Sequence, residues 1–249
     1  MDISIGLPKR NATHIDDDLT INIGDYTVTI SPEIGHGAYG QILKAVHITS
    51  GDIRVVKKLE LTNEKRQRSL LLKHARREEH ILCLLSHENI VKYYGLITHR
   101  TSWWLFLQMC TLGSLKAYLI NNMRLSINSR VDIKRQCAAA IMYLHEQDIM
   151  HRDIKISNIL MTEYCDKHLV KVSDFGMSKL VCTDYHDDDL TKHHIGTRYY
   201  RAPEQFQLEK YTSAVDVFAL GLTFLIIFEF GLQNEYLVPR SCMYMLCYP

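Results

Sequence analysis

The stretch HRDIKISNIL, residues 151–160, sets His151, Arg152, Asp153, Lys155 and Asn158 among isoleucines. It ends in the apolar pair Ile159-Leu160, which reads as the start of a buried strand. Polar groups so near a core are costly unless they are paired or used. Fixed charges in a partly dry cleft are what the transfer of a charged group requires. A second stretch, GHGAYG (35–40), has the spacing G-x-G-x-x-G. Strand-like residues follow it (QILKAVHIT), so the glycines sit at a hairpin rather than opening a helix. Gly35, Gly37 and Gly40 would let backbone N–H groups close over phosphates with no Cβ in the way. An ordinary glycine-rich hairpin reads the same. Lys57, in RVVKKL, lies among valines and is half-buried by pattern, so its ammonium needs an anionic partner. Glu78 is the candidate, because it interrupts the apolar stripe of a long helix, whereas Glu79 points about 100° away. Lys58 poses the same problem on the other strand face.

These residues need elements to hold them. Residues 1–25 contain Asp16-Asp17-Asp18 and little periodicity, and read as a loose extension. From Tyr26, the runs YTVTISPEI, QILKAVHIT and IRVVKKLEL suggest an antiparallel meander. A helix over about 63–86 places Leu71, Ala75, Glu78, Leu82 and Leu85 on one face. VKYYGLIT and WWLFLQM are two more strands. After TLGSL the pattern turns helical, over about 114–121, 126–147 and 212–230. The expected fold is α+β: a small β-rich lobe over 26–110, then a larger helical lobe over 111–249.

A net charge of +1 offers no field to recruit nucleic acid or an anionic membrane. The longest apolar run, VFALGLTFLIIF, is too short to span a bilayer. The opening MDISIGLPKR lacks the apolar core of a signal peptide. Seven cysteines with no C-x-x-C pair point to reduced thiols in a cytoplasmic protein. The basic stretch EKRQRSLLLKHARRE lies on the long helix beside glutamates and reads as a solvated face.

HRDIKISN, DFG (174–176) and APE (202–204) follow the glycine loop and Lys57 in the order and spacing of the protein-kinase signature set. From about Tyr26 to about Gly231 the chain resembles a eukaryotic protein kinase, with some likeness to the tyrosine-kinase-like and upstream mitogen-cascade groups. The resemblance implies ATP and Mg²⁺ as cofactors and a bilobal fold. It implies that Gly35, Gly37 and Gly40 cover the nucleotide phosphates. Lys57, paired with Glu78, would hold the α- and β-phosphates. Asp153 would take or orient the proton of the accepting hydroxyl, and Lys155 would reach the γ-phosphate. Asn158 and Asp174 would hold magnesium, for which hard oxygens are suited. Ile42, Val55 and Leu160 would wall the adenine slot, with Leu107 at its back and backbone groups of Gln108 and Cys110 bonding the base. His151, Phe175, Leu82 and Tyr93 would join the lobes, and Asp216 would brace the catalytic loop.

Lys155, two residues after Asp153, with Thr197 as its partner, resembles kinases selective for serine and threonine. A protein substrate is implied, and an upstream activating kinase is a possible partner. Between DFG and APE, Ser178, Thr183, Tyr185 and Thr191 are acceptors, with Thr191 favoured by its distance to Glu204. Arg152 would bind that phosphate, or Asp187 to Asp189 would supply the negative charge unmodified. Similar kinases continue for several helices past the one bearing Asp216, including an arginine that pairs with Glu204. Here GLQNEYLVPRSCMYMLCYP follows. The second expectation is therefore a truncated, non-catalytic kinase-like protein that binds nucleotide or a partner.

Overall fold

The computed structural model describes residues 19–37, 40–60, 65–181, 196–206 and 211–229. The first lobe is one antiparallel sheet. Its strands are β1 (Leu19–Ile23), β2 (Tyr26–Ser31), β3 (Gly35–Gly37), β4 (Gly40–His47), β5 (Ile53–Glu60), β6 (Tyr93–His99) and β7 (Ser102–Gln108). Their order is β1-β2-β4-β5-β7-β6, with β3 paired to β4. The antiparallel meander expected for the first three runs is present as β2-β4-β5, and β7 then enters between β5 and β6. The sheet curls until the turn after β1 meets β6: a Cβ on Gly24 would press on Ile97.

The loose extension expected over 1–25 does not reach that far. Residues 19–23 form β1, which pairs with β2 and buries Ile23. Ile21 and Ile23 supply its inward face while Leu19 is exposed, a pattern too short to stand out beside the preceding aspartates. Ile23, Val28, Leu43, Ala45, Val56, Trp104 and Phe106 fill the inside of the curl. The other face of β5 turns Leu59 towards α1 (Lys65–Leu84), where it packs with Ala75 and Trp103.

The second lobe is mainly helical. It holds α2 (Leu115–Asn121), α3 (Ile127–Glu146) and α4 (Ala214–Glu229). Its short strands are β8 (Ile149–Met150), β9 (Ile159–Tyr164), β10 (Lys167–Val172) and β11 (Lys179–Leu180). Ser114 and Ser126 cap α2 and α3 by accepting from the backbone N–H groups of Ala117 (3.2 Å) and Ser129 (3.1 Å). The buried Arg130 of α3 donates to the carbonyls of Ile227 (2.8 Å) and Phe228 (3.0 Å), closing the last turn of α4. Leu119, Ile133, Cys137, Ile141, Leu144 and Ile227 belong to the main core. The α+β, two-lobed architecture expected is the one observed.

The lobes meet through a buried polar link. Asn89, after α1, donates to Gln136 Oε1 (2.9 Å) and to the Val170 carbonyl (3.1 Å). Both groups are buried, and each finds its partner, as a low-dielectric setting demands.

Candidate active site

The register of the sheet builds the first wall of a cleft. Ile42 faces Lys57 across β4 and β5, and Val55 faces Leu107 across β5 and β7. With a two-residue period, Val55 and Lys57 share one face of β5. The Lys57 ammonium lies 2.8 Å from Glu78 Oε2 and 3.3 Å from Asp174 Oδ1. Glu78 is 3 % exposed, on the inward face of α1 with Ala75 and Leu82. Burial alone would lower the Lys57 pKa, but the two carboxylates outweigh it and the ammonium is held firmly charged. Burial pushes the Glu78 carboxyl up, as does Asp174, against the pull of Lys57. Lys58, on the opposite face, has a different solution. It pairs with Glu60 at 2.5 Å and lies 5.4 Å from the Trp104 ring centroid.

The helical lobe supplies the second wall. Asp216 accepts the backbone N–H groups of His151 and Arg152, both at 2.8 Å, and pairs with His145 at 3.0 Å. That brace presents Asp153. Its Oδ1 accepts from the Thr197 backbone N–H and hydroxyl, each at 2.8 Å. Its Oδ2 accepts from Asn158 Nδ2 (2.8 Å) and Lys155 Nζ (3.0 Å). Burial would raise the Asp153 pKa, but the Lys155 ammonium and the Thr197 donors win, holding it below the ordinary carboxylate value. Lys155 also reaches the Thr197 hydroxyl at 2.8 Å. Gly196 sits at φ 83°, and a Cβ there would strike the Arg152 carbonyl oxygen, so the two segments can approach only with glycine at this point.

Asp174 follows β10 in the left-handed region, φ 64° and ψ 73°, which turns its carboxylate into the cleft. Phe175 is fully buried, with its ring centroid 5.0 Å from that of His151. Leu82 and Tyr93 pack in the same core. Arg152 reaches the start of the activation segment, donating Nε to the Met177 carbonyl at 2.6 Å.

Between the walls lies a cavity of ≈ 630 Å³, the size of a small-molecule site. Ile42, Val55, Lys57, Glu78, Gln108 and Cys110 line it. So do Asn158, Leu160, Asp174 and the catalytic-loop Lys155. The Gln108 N–H is engaged by the Lys92 carbonyl at 2.9 Å, so the backbone group it can offer a ligand is its carbonyl. Asp153 borders a small hollow beside the main cavity, together with Thr197, which lines both.

The glycines divide by cause. A Cβ at Gly35 would meet nothing within 4 Å, leaving room above the cavity. A Cβ at Gly40 would run into the Lys58 carbonyl, so this glycine answers to strand packing. Gly37 pairs with Gly40 across the hairpin.

Sequence reasoning missed Ile34, Met109 and Lys116 on the cavity wall. It also missed His74 of α1, whose Nδ1 lies 3.1 Å from the Gly176 carbonyl. Burial lowers the His74 pKa, so a neutral ring with Nδ1 protonated donates this bond. Ile34 had a signal in its place just before the glycine run. Neither Lys116 nor His74 stands out from the charges on its helix. Thr183, Tyr185, Thr191, Asp187 to Asp189 and residues 230–249 lie outside the described residues.

Comparison with known proteins agrees with this geometry. The chain is 30% identical over 223 residues to the serine/threonine-protein kinase pakF of Dictyostelium discoideum, covering 89% of this chain and 18% of that protein. It is 31% identical over 217 residues to the serine/threonine-protein kinase dst1 of the same organism, covering 87% and 28%. With cell division control protein 7 of Schizosaccharomyces pombe, identity is 29% over 226 residues, covering 90% and 20%. The chain therefore spans less than a third of the length of these relatives. The model of the protein kinase domain matches residues 28–234, from the middle of β2 to just past α4, and the chain belongs to that family.

Proposed function

We propose that this chain is an ATP-dependent protein kinase that transfers the γ-phosphate of Mg-ATP to serine and threonine hydroxyls of protein substrates. The observation that carries this reading is Asp153, ionised and held by Thr197, Asn158 and Lys155 in a hollow beside a nucleotide-sized cleft whose wall those three residues line. The Lys155–Thr197 contact and relatives named serine/threonine kinases support an aliphatic rather than a phenolic acceptor.

The chemistry is mainly positioning and charge neutralisation. Adenine enters between Ile42, Val55 and Leu160, with the Gln108 carbonyl and the Cys110 backbone at its edge. Gly35, Gly37 and Gly40 form the hairpin above the phosphates. Lys57, fixed by Glu78, meets the α- and β-phosphates. Asp153 takes the proton of the accepting hydroxyl as its oxygen bonds to the γ-phosphorus. The bond to the β–γ bridging oxygen breaks and ADP leaves. Lys155 stays on the γ-phosphoryl oxygens as their charge shifts.

Asn158 and Asp174 fit a magnesium ion. Both amide hydrogens of Asn158 are engaged by Asp153, which leaves its oxygen as a donor, and Asp174 is 30% exposed towards the cleft. Magnesium, when bound, neutralises phosphate charge between them. The thiol usage supports a reducing, cytoplasmic setting. No helix among the described residues is long and apolar enough to cross a membrane. Arg152, directed at the activation segment, supports control by an upstream kinase, with Thr191 as the acceptor.

The test is a transfer assay on the purified chain with Mg-ATP and a mixed serine, threonine and tyrosine peptide library. Phosphoserine and phosphothreonine should form, and Asp153→Asn should lower kcat by about 10²–10⁴. Nucleotide binding by a folded chain that transfers nothing, even to its own residues, would refute the catalytic reading.

A further inference from the structure

The mouth of the cleft is cationic where a polypeptide would cross it. Lys116, the second residue of α2, donates its backbone N–H to the Ile156 carbonyl at 3.0 Å. That bond fixes the start of α2 against the catalytic loop. Lys116 lines the same cavity as Lys155, Ser157, Thr197 and Tyr199. Ser157 and Tyr199 are exposed, so this part of the wall is open to solvent. Arg198, also exposed, lies between Thr197 and Tyr199.

The acids of the site are already engaged. Glu78 and Asp174 hold Lys57, and Asp153 is shared by Lys155, Thr197 and Asn158. α2 carries no acid. Over 196–206 the charged residues are Arg198, Arg201 and Glu204, and Glu204 is not on the cavity wall. Arg201 is turned inward, donating Nε and Nη2 to the Gly196 carbonyl at 2.9 and 2.6 Å. Lys116 and Arg198 have no side-chain hydrogen bond or ion pair among the described residues. Among the described residues, two unpartnered cations thus stand at this side of the cleft: Lys116 on the cavity wall, and Arg198 between its wall residues Thr197 and Tyr199.

Resting on the kinase reading above, we infer that the substrates of this chain carry aspartate or glutamate beside the accepting hydroxyl. Complementary charge at a rim steers encounter and selects partners more than it adds raw affinity. Lysine or arginine beside the acceptor would meet like charge and be disfavoured. The selection should be strongest at low salt, because both cations are at least partly solvated.

The experiment uses the full chain with Mg-ATP and three peptides of equal length. Each has a single serine, flanked by alanines, aspartates or lysines. kcat/KM should rank aspartate above alanine above lysine, with roughly tenfold between the extremes from two partly exposed pairs. The spread should shrink as salt rises from about 50 to about 500 mM. Lys116→Glu should narrow or invert the aspartate-to-lysine ratio, and Arg198→Glu should add to that change. A ratio within one protein is insensitive to how much of each variant folds. Equal use of the aspartate and lysine peptides would overturn the inference. So would a Lys116→Glu variant that raised the KM for ATP alike with all three peptides. Anisotropy of the same peptides, fluorescently labelled, provides a readout without turnover. Tighter binding of the aspartate peptide supports the inference even if nothing is transferred, and absent transfer then counts against the kinase reading alone.

Discussion

The two walls of the cleft hold their charges by different means. On the sheet side, Lys57 is held by two carboxylate side chains, one from α1 and one from the turn after β10. On the helical side the main chain does much of the holding. Asp216 grips two consecutive backbone N–H groups, and Asp153 accepts a third, from Thr197. The helical wall is therefore preset once that lobe folds. The sheet wall is complete only while α1 stays in place, and α1 is tied to the DFG turn through Lys57, which bridges Glu78 and Asp174, and through the His74–Gly176 bond.

Asp216→Ala should have the largest effect on stability. It leaves two buried N–H groups without an acceptor, at about 1–3 kcal/mol each. The helical lobe should lose cooperative unfolding by calorimetry, and transfer should vanish with it. Glu78→Gln should cost about 3 kcal/mol, because breaking a buried pair is expensive and Asp174 still partners the ammonium. Here the chain should stay folded by circular dichroism while kcat falls. An equal loss of fold in both variants would erase the contrast between the walls.

A pH series sharpens the same contrast. The folded-state pKa of Asp153 lies below its unfolded value, so the stability it contributes is fully present above the unfolded pKa of about 3.9 and is lost as pH falls through the folded one. The difference in melting temperature between the parent and Asp153→Asn should be flat from about pH 5 to 8 and change only below about pH 4. Lys58→Ala is the smallest change. Its pair with the exposed Glu60 should be worth less than about 1 kcal/mol by urea unfolding, although Lys58 neighbours Lys57 in the chain.

Much of the site was legible in the sequence because its constraints are local or periodic. The carboxylate breaking the stripe of α1 identified Glu78, whereas the place of Asp216 came from the resemblance to protein kinases. The strand pattern separated the two faces that Lys57 and Lys58 occupy. What was not legible depends on approaches between distant segments. Nothing local to GHGAYG says that Gly40 must clear the Lys58 carbonyl. Nothing near Lys116 says that its backbone will bond Ile156 and bring it to the cavity mouth. The placement of β7 between β5 and β6 likewise follows from how the sheet is assembled, since the continuous apolar run of β7 does not name its neighbours.

The thiol of Cys110, on the wall of the slot between the lobes, has a consequence for chemical probes. Burial pushes the Cys110 pKa up to about 11, so at neutral pH only about one molecule in ten thousand carries the thiolate. An electrophile applied to the whole chain should mark the exposed Cys83 and Cys165 well before it. Selective labelling of Cys110 would need a warhead delivered by a ligand already seated in the slot, with occupancy rather than intrinsic reactivity setting the rate.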